Sequence, residues 1–197
     1  KNKSSKMLEW LRLMSHPDGN ICFFNDAAFY VAPTYNELKK YYVCLKLNKT
    51  IKIKKRDNKY LRNSSFIVIN NKHNYFAANV GKIIANHQPG HSHADINSFE
   101  LSLYKKRFIV NSGISTYETG SQRLTERSSI SHNNLVIDNI NSNEVWESFR
   151  VAKRANLQFA ELKTEKDNYS IIMRHNYNKN FFLEILNYHI LVPRRIF

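Results

Sequence analysis

Hydrophobic side chains change their spacing near Thr50, and that change constrains the fold more than any other feature of the chain. Upstream, Met7, Leu8, Leu11 and Met14 recur three and four residues apart, the spacing of one face of an α-helix. His16-Pro17-Asp18-Gly19 supplies the breakers that end it. Phe23, Phe24 and the step Asn25-Asp26-Ala27-Ala28 predict a tight turn into a short helix. Thr34 with Glu37 three residues on reads as a capping box, which predicts a helix running to about Leu45. Downstream, the chain breaks into short runs rich in β-branched and aromatic residues, at 65–69, 75–80, 99–104, 107–110, 134–137, 157–162, 169–173 and 188–192. Asn, Gly, Asp and Lys separate them at short intervals, the pattern of an antiparallel sandwich or barrel. Asn70-Asn71-Lys72 and Lys105-Lys106 fall where hairpin turns belong. The expected fold is therefore mainly β, with a few helices first. Residues 1–48 read as the tail of a larger helical unit and 49–197 as the β unit. A chain that opens inside a helix without an initiator Met, and stops inside a strand run, is expected to be a fragment.

Hydrophobic residues make up 42% of the chain and aromatic residues 13%, enough for a packed core, which excludes wholesale disorder. Thirty Lys+Arg face sixteen Asp+Glu, for a net charge of +14. Such a balance favours an anionic partner, whether nucleic acid, acidic glycan or membrane surface; a scattered Lys- and Asn-rich bias accounts for it equally well. The densest basic stretch is Lys49, Lys52, Lys54, Lys55, Arg56 and Lys59, whose first half alternates with Ile51 and Ile53 like a strand with one wet face. Two cysteines, Cys22 and Cys44, are too few for a disulfide framework and leave pairing open. No apolar run reaches the roughly 20 residues of a membrane span. No recognition motif for nucleic acid accompanies the charge, so a nucleic-acid partner is not expected.

Three groups of residues can carry chemistry. In Gly90-His91-Ser92-His93-Ala94-Asp95, two imidazoles and a carboxylate alternate. If the segment is extended, His91, His93 and Asp95 leave from one face, which suits a metal ion or an acid–base site; a polar turn whose histidines bond the backbone is the alternative. Ser131-His132-Asn133-Asn134 precedes an apolar run and reads either as a structural hydrogen-bonder or as a partner for the first group. Thr116-Tyr117-Glu118 with Arg123, Glu126 and Arg127 offers forked contacts for a carboxylate or sulfate, or a surface cluster of ion pairs. His-x-His-x-Asp also occurs in metallo-β-lactamase-like hydrolases, where another His follows; here Ile96 follows Asp95 and the segment leads into a hairpin, which argues against that site.

Taken in order, Gln88-Pro89-Gly90-His91-Ser92-His93-Ala94-Asp95, Ser98-Phe99-Glu100-Leu101, Ser112-Gly113, Thr116-Tyr117-Glu118, Arg123, Glu126-Arg127-Ser128, His132-Asn133, Glu144-Val145-Trp146 and Phe149-Arg150 resemble the heparinase II/III-like C-terminal domain of polysaccharide lyases. The stretch from Met7 to Asn25-Asp26-Ala27-Ala28-Phe29 is similar to the last helices of that family's α/α toroid. The resemblance implies an antiparallel β-sandwich after the end of a toroid, and β-elimination on a uronate-containing glycan of heparan, alginate or related type. It implies that His91 faces the cleft as a catalytic residue. It also implies that His93 and His132 hold a structural zinc ion with an acid from an Asp-Ser-Gly step. That position is Asn111 here, a neutral oxygen donor in place of a carboxylate, so zinc would bind more weakly. Asp95 would compensate, or hydrogen bonds would hold the site without metal. Arg127 and Arg150 are the expected contacts to the anionic chain, with Tyr117 at the cleft edge; Trp146 and Phe149 are expected mainly in the core. The family's tyrosine acid/base and its carboxylate-neutralising residue belong to the toroid upstream, so the isolated chain is expected to be inactive. A periplasmic or secreted location follows from the same resemblance. The alternative is a non-catalytic acidic-glycan-binding or structural module.

Overall fold

Two antiparallel sheets pack face to face, and the segment that follows the first helix closes the outer side of the larger one. The computed structural model describes residues 2–45, 57–71, 73–83, 87–166, 168–176 and 186–193. Helices α1 (Asn2–Leu13) and α2 (Tyr35–Cys44) come first. Strands β1 (Asp57–Leu61), β2 (Phe66–Asn70), β3 (Tyr75–Asn79), β4 (Phe99–Leu103) and β5 (Lys106–Ile109) form an antiparallel meander in sequence order. Helix α3 (Ser121–Arg127) and a small hairpin, β6 (Val145–Trp146) with β7 (Arg150–Val151), follow. Strands β8 (Asn156–Thr164), β9 (Asn168–Asn176) and β10 (Leu186–Pro193) make the second sheet, with β9 in the middle.

The period of two along a strand divides the core. Ile67, Ile69, Phe76 and Ala78 point inward and meet Tyr169, Ile171 and Met173 of β9. Their neighbours Phe66, Val68, Tyr75 and Ala77 point the other way and meet Met14, Cys22 and Phe24. Strands β2 and β3 are thus buried on both faces, which is why their sequences read as unbroken apolar runs rather than alternating ones.

A buried carboxylate fastens that third layer to the sheet. Glu100 of β4 accepts the backbone N–H groups of Phe23 (2.9 Å) and Asn111 (3.0 Å) at Oε1. Its Oε2 meets His16 Nε2 at 2.6 Å, and His16 Nδ1 meets the Ser102 hydroxyl at 2.6 Å. His16, Cys22 and Glu100 bring a nitrogen, a sulfur and an oxygen within 4.8 Å of one another, but each is engaged, Cys22 Sγ with the Tyr75 hydroxyl at 3.1 Å. Arg107 adds a fork to Asp18 and bonds to the carbonyls of Asn20 and Ile21. This fastening sets residues 14–24 and, just beyond them, Asn25 and Asp26 against the sheet.

The capping box at Thr34 and Glu37 is formed on both sides. The expected hairpins are present, the second turning at Tyr104 and Lys105, both with positive φ (51° and 67°) as a two-residue turn of this hand requires. Cys22 and Cys44 are both free thiols. Two expectations fail, and one strand was not foreseen. No helix follows Asn25-Asp26-Ala27-Ala28: Asn25 takes φ 55° and its side chain bonds across to the His93 N–H instead of capping a turn. Residues 134–137 make no strand, because Asn134 donates to the carbonyls of Ala94 and Ile96 and the chain doubles back in an isolated bridge between Ile137 and Ile140. Strand β1, around Lys59, lacks the apolar run that marked the others. The boundary at 48/49 and the basic residues Lys49, Lys52, Lys54, Lys55 and Arg56 lie outside the described residues.

Candidate functional site

The alternating histidines do not sit on a strand. Residues 90–98 turn repeatedly, with Ser92 N–H bonded to Pro89 O, Ala94 N–H to Arg127 O and Ser98 N–H to Asp95 O. An irregular path removes the reason for i and i+2 to share a face. The side chain of His91 is 69% exposed and that of His93 is 0% exposed. Asp95 is buried, its carboxylate on the Asn25 N–H at 3.3 Å, and burial raises its carboxyl pKa. The carboxylate bonds to Asn25 and to neither imidazole, so the three residues form no hydrogen-bonded triad. Gly90 lets the chain pass close to the β6–β7 hairpin: a Cβ there would lie 3.1 Å from Phe149 O, a tight contact.

Asp26 joins the two imidazoles. Its Oδ2 lies 2.7 Å from His91 Nδ1 and its Oδ1 lies 2.7 Å from His93 Nε2. Arg123 closes the same carboxylate with a fork, Nη1 to Oδ1 at 2.5 Å and Nη2 to Oδ2 at 2.9 Å. Burial by itself would raise the Asp26 carboxyl; hydrogen bonds from His93, Arg123 and His91 outweigh it and hold the group well below the usual carboxylate range. An ionised carboxylate only accepts, so His91 Nδ1 and His93 Nε2 are both the protonated nitrogens. His91 then presents Nε2 outward. His93 presents Nδ1 to His132 Nε2, 3.2 Å away. Burial, and His93 beside it, lower the His132 pKa to about 3 and keep that ring neutral.

The same pair bears on metal binding. Two nitrogens on one tetrahedral zinc ion stand about 3.4 Å apart for bonds of about 2.1 Å. The separation of His93 and His132 fits, and the carboxylate behind His93 is the outer support that metal-binding histidines commonly have. Asn111 is buried one residue from this pair, its Oδ1 accepting the Asn133 N–H at 3.0 Å. It brings a shared neutral oxygen and no charge. Donor chemistry and spacing therefore fit a weak site built on two imidazoles.

The arginines are divided differently from the expectation. Arg127 is fully buried and donates to the carbonyls of Ser92, Trp146, Glu147 and Arg150. Burial, with Arg123 beside it, lowers its pKa to about 10. It cannot touch a ligand; it ties the β6–β7 hairpin to the His91 turn. Arg123 is equally buried and also donates to Ser148 O. Glu126 is buried against Ser115 and Gln122, so Arg123, Glu126 and Arg127 form no surface ion-pair cluster, and the one fork among them, that of Arg123, is spent on Asp26. Arg150 is exposed, with its guanidinium 5.1 Å from the Trp146 ring centroid and a contact to Glu147 at 3.3 Å. Tyr117 is 43% exposed beside His91. Trp146 and Phe149, expected in the core, are each 44% exposed. The exposed side of the site thus consists of His91, Tyr117 and Phe149, its inner support of Asp26, Arg123, Arg127 and His93, and Trp146 with Arg150 form a separate exposed pair on the β6–β7 hairpin.

Residues 53–182 match the model of the family described as heparinase II/III-like, C-terminal. The chain belongs to that family. No curated protein is matched by the sequence. Among solved structures, this heparinase II/III-like domain resembles a mutant of the heparan sulfate lyase HepC from Pedobacter heparinus, at 18% identity and a TM-score of 0.66, over 94% of this chain and 29% of that one. It resembles a heparinase III with methylated lysines at 20% identity and a TM-score of 0.68, over 94% and 29% of the two chains. A further heparinase III matches at 16% identity and 0.57, over 96% and 34%. At these identities the likeness concerns the fold. The heparinase II/III-like chain spans about a third or less of the length of these neighbours. The sequence reading missed Asp26 as a site residue and left Arg123 unassigned. Asp26 lies 65 residues from His91 and 97 from Arg123, and its only local signal was an Asn-Asp step that reads as a turn.

Proposed function

We propose that the chain is part of a polysaccharide lyase that cleaves a uronate-containing acidic glycan by β-elimination, with His91 at the reacting centre. The observation that carries this reading is the exposed His91 whose Nδ1 is anchored on Asp26 while Nε2 faces out. In β-elimination the C5 proton leaves to a base, the bond from C4 to the glycosidic oxygen breaks, the electron pair becomes the C4–C5 double bond, and the leaving oxygen takes up a proton. An imidazole with one nitrogen fixed and the other free can move one of those protons near neutral pH. Tyr117 stands beside it, and the exposed Arg150 on the β6–β7 hairpin would meet the anionic chain. Helices α1 and α2 belong, in this reading, to the end of an α/α toroid that supplies the tyrosine acid/base and the group that neutralises the uronate carboxylate. The neighbours' identity as heparin- and heparan-cleaving enzymes supports the substrate class, and a periplasmic or secreted location goes with it. No helix among the described residues is long and apolar enough to cross a membrane.

His93 and His132 would hold zinc, with Asn111 as a neutral third donor; the ion would brace the wall behind His91. Asn111 is also the observation that favours the second reading, a non-catalytic acidic-glycan-binding or structural module. Depolymerisation of several uronate glycans by the intact protein, followed by the absorbance of the unsaturated product, decides between them. The lyase reading expects product with wild type and at least roughly a hundredfold slower turnover with His91→Ala. Equal rates for the two proteins would sink the role given to His91, and no product from any glycan would leave the module.

A further inference from the structure

We propose that Tyr117 and Phe149 together form a pyranose-stacking subsite that seats one sugar ring of the glycan beside His91. The inference rests on the glycan reading above and adds the groups that grip the uncharged part of the substrate. The two rings are stacked, with centroids 5.7 Å apart and planes 29° from parallel. The His91 imidazole meets both edge-on, 5.6 Å from Phe149 and 6.2 Å from Tyr117. Behind them the Arg123 guanidinium lies 5.2 Å from the Tyr117 centroid and 5.4 Å from that of Phe149.

That backing makes the pair a built surface rather than two stray aromatics. Arg123 is fully buried, and both of its terminal nitrogens are taken by Asp26. The carboxylate that holds His91 therefore also holds the cation on which the two rings rest. Rings fixed in this way lose little rotamer freedom when a ligand lands on them, so more of the contact energy survives as affinity. A pyranose suits such a surface: its face of axial C–H groups packs on a π-face while its hydroxyls and carboxylate remain at the rim, where His91 stands. A purely apolar ligand would leave that rim unused.

The test uses the chain as it stands, with an acidic uronate tetrasaccharide and the same tetrasaccharide after carboxyl reduction. Ring protons of Tyr117 and Phe149 should shift in NMR titrations with both sugars, the acidic one binding more tightly. Phe149→Leu should weaken both by about threefold to tenfold, the range for loss of an aromatic contact. Phe149→Trp should bind like wild type, and so should Phe108→Leu, which removes an exposed ring on β5 that is not part of the pair. Unmoved ring signals, or undiminished binding by Phe149→Leu, would overturn the subsite. So would a single-stranded oligonucleotide that moves the same signals while the sugars do not. Failure of the lyase reading looks different: both sugars still shift the rings, but the intact protein forms no unsaturated product.

Discussion

Glu100 and Asp26 are two buried carboxylates that solve the same problem with opposite results. Each accepts from an imidazole and from further donors supplied by distant segments. Around Glu100 the hydrogen-bonded network is internal: His16 is buried and its second nitrogen is taken by Ser102, while the partly exposed Arg107 stands 3.9 Å off and is spent on Asp18. Around Asp26 the network is closed on three sides by Arg123 and His93 and open on the fourth through His91. A charged group in a sealed network holds segments together. The same group with one partner at the surface can orient a side chain that is free to meet a ligand.

That contrast can be broken at either carboxylate. Glu100→Ala should have the largest effect on stability, because it strands a buried imidazole and two buried N–H groups; a loss of about 3–5 kcal/mol is expected in urea unfolding. A loss near zero would mean that the first helix and residues 14–24 are not fastened through this carboxylate. Asp26→Asn should cost about 1–3 kcal/mol, since the amide still accepts from Arg123 but cannot satisfy both histidines and the guanidinium. Its pH dependence has a definite sign. The folded-state pKa of Asp26 is depressed, so its contribution is fully present above the unfolded carboxylate value of about 3.9 and is lost as pH falls through the folded value. The stability gap between wild type and Asp26→Asn should therefore stay constant at neutral pH and narrow only in strong acid. His91→Ala should have the smallest effect, within about 0.5 kcal/mol, because the ring is exposed and Asp26 keeps its other partners. A large destabilisation by that change would place His91 in the supporting network rather than at a working surface.

How much of this was legible in the chain depended on range. The helix around Leu8 and the capping box at Thr34 follow from neighbours three and four residues apart, and β2 to β5 follow from short apolar runs between turn residues. The run from Gly90 to Asp95 drew attention to the candidate site but did not give its geometry. Period-two reasoning assumes a strand, whereas Ala94 bonds to Arg127 O and His93 to Asn25 Oδ1, and those distant partners set the direction of each side chain. Arg127 misled for a related reason. Arginine is usually a surface residue, but the four carbonyls that hold this one come from two distant segments, the turn at Ser92 and the β6–β7 hairpin.

The sequence by itself determined the two sheets, the leading helices, the family and the stretch where chemistry concentrates, because these rest on local periodicity and on motifs in order. Only the tertiary structure decided that His91 faces out while His93 faces in, that Asp26 holds both, and that Arg123 and Arg127 support the wall instead of forming its surface. Those choices are made by hydrogen bonds across 20 to 97 residues of chain, and the partners at such separations are known only once the layers have packed.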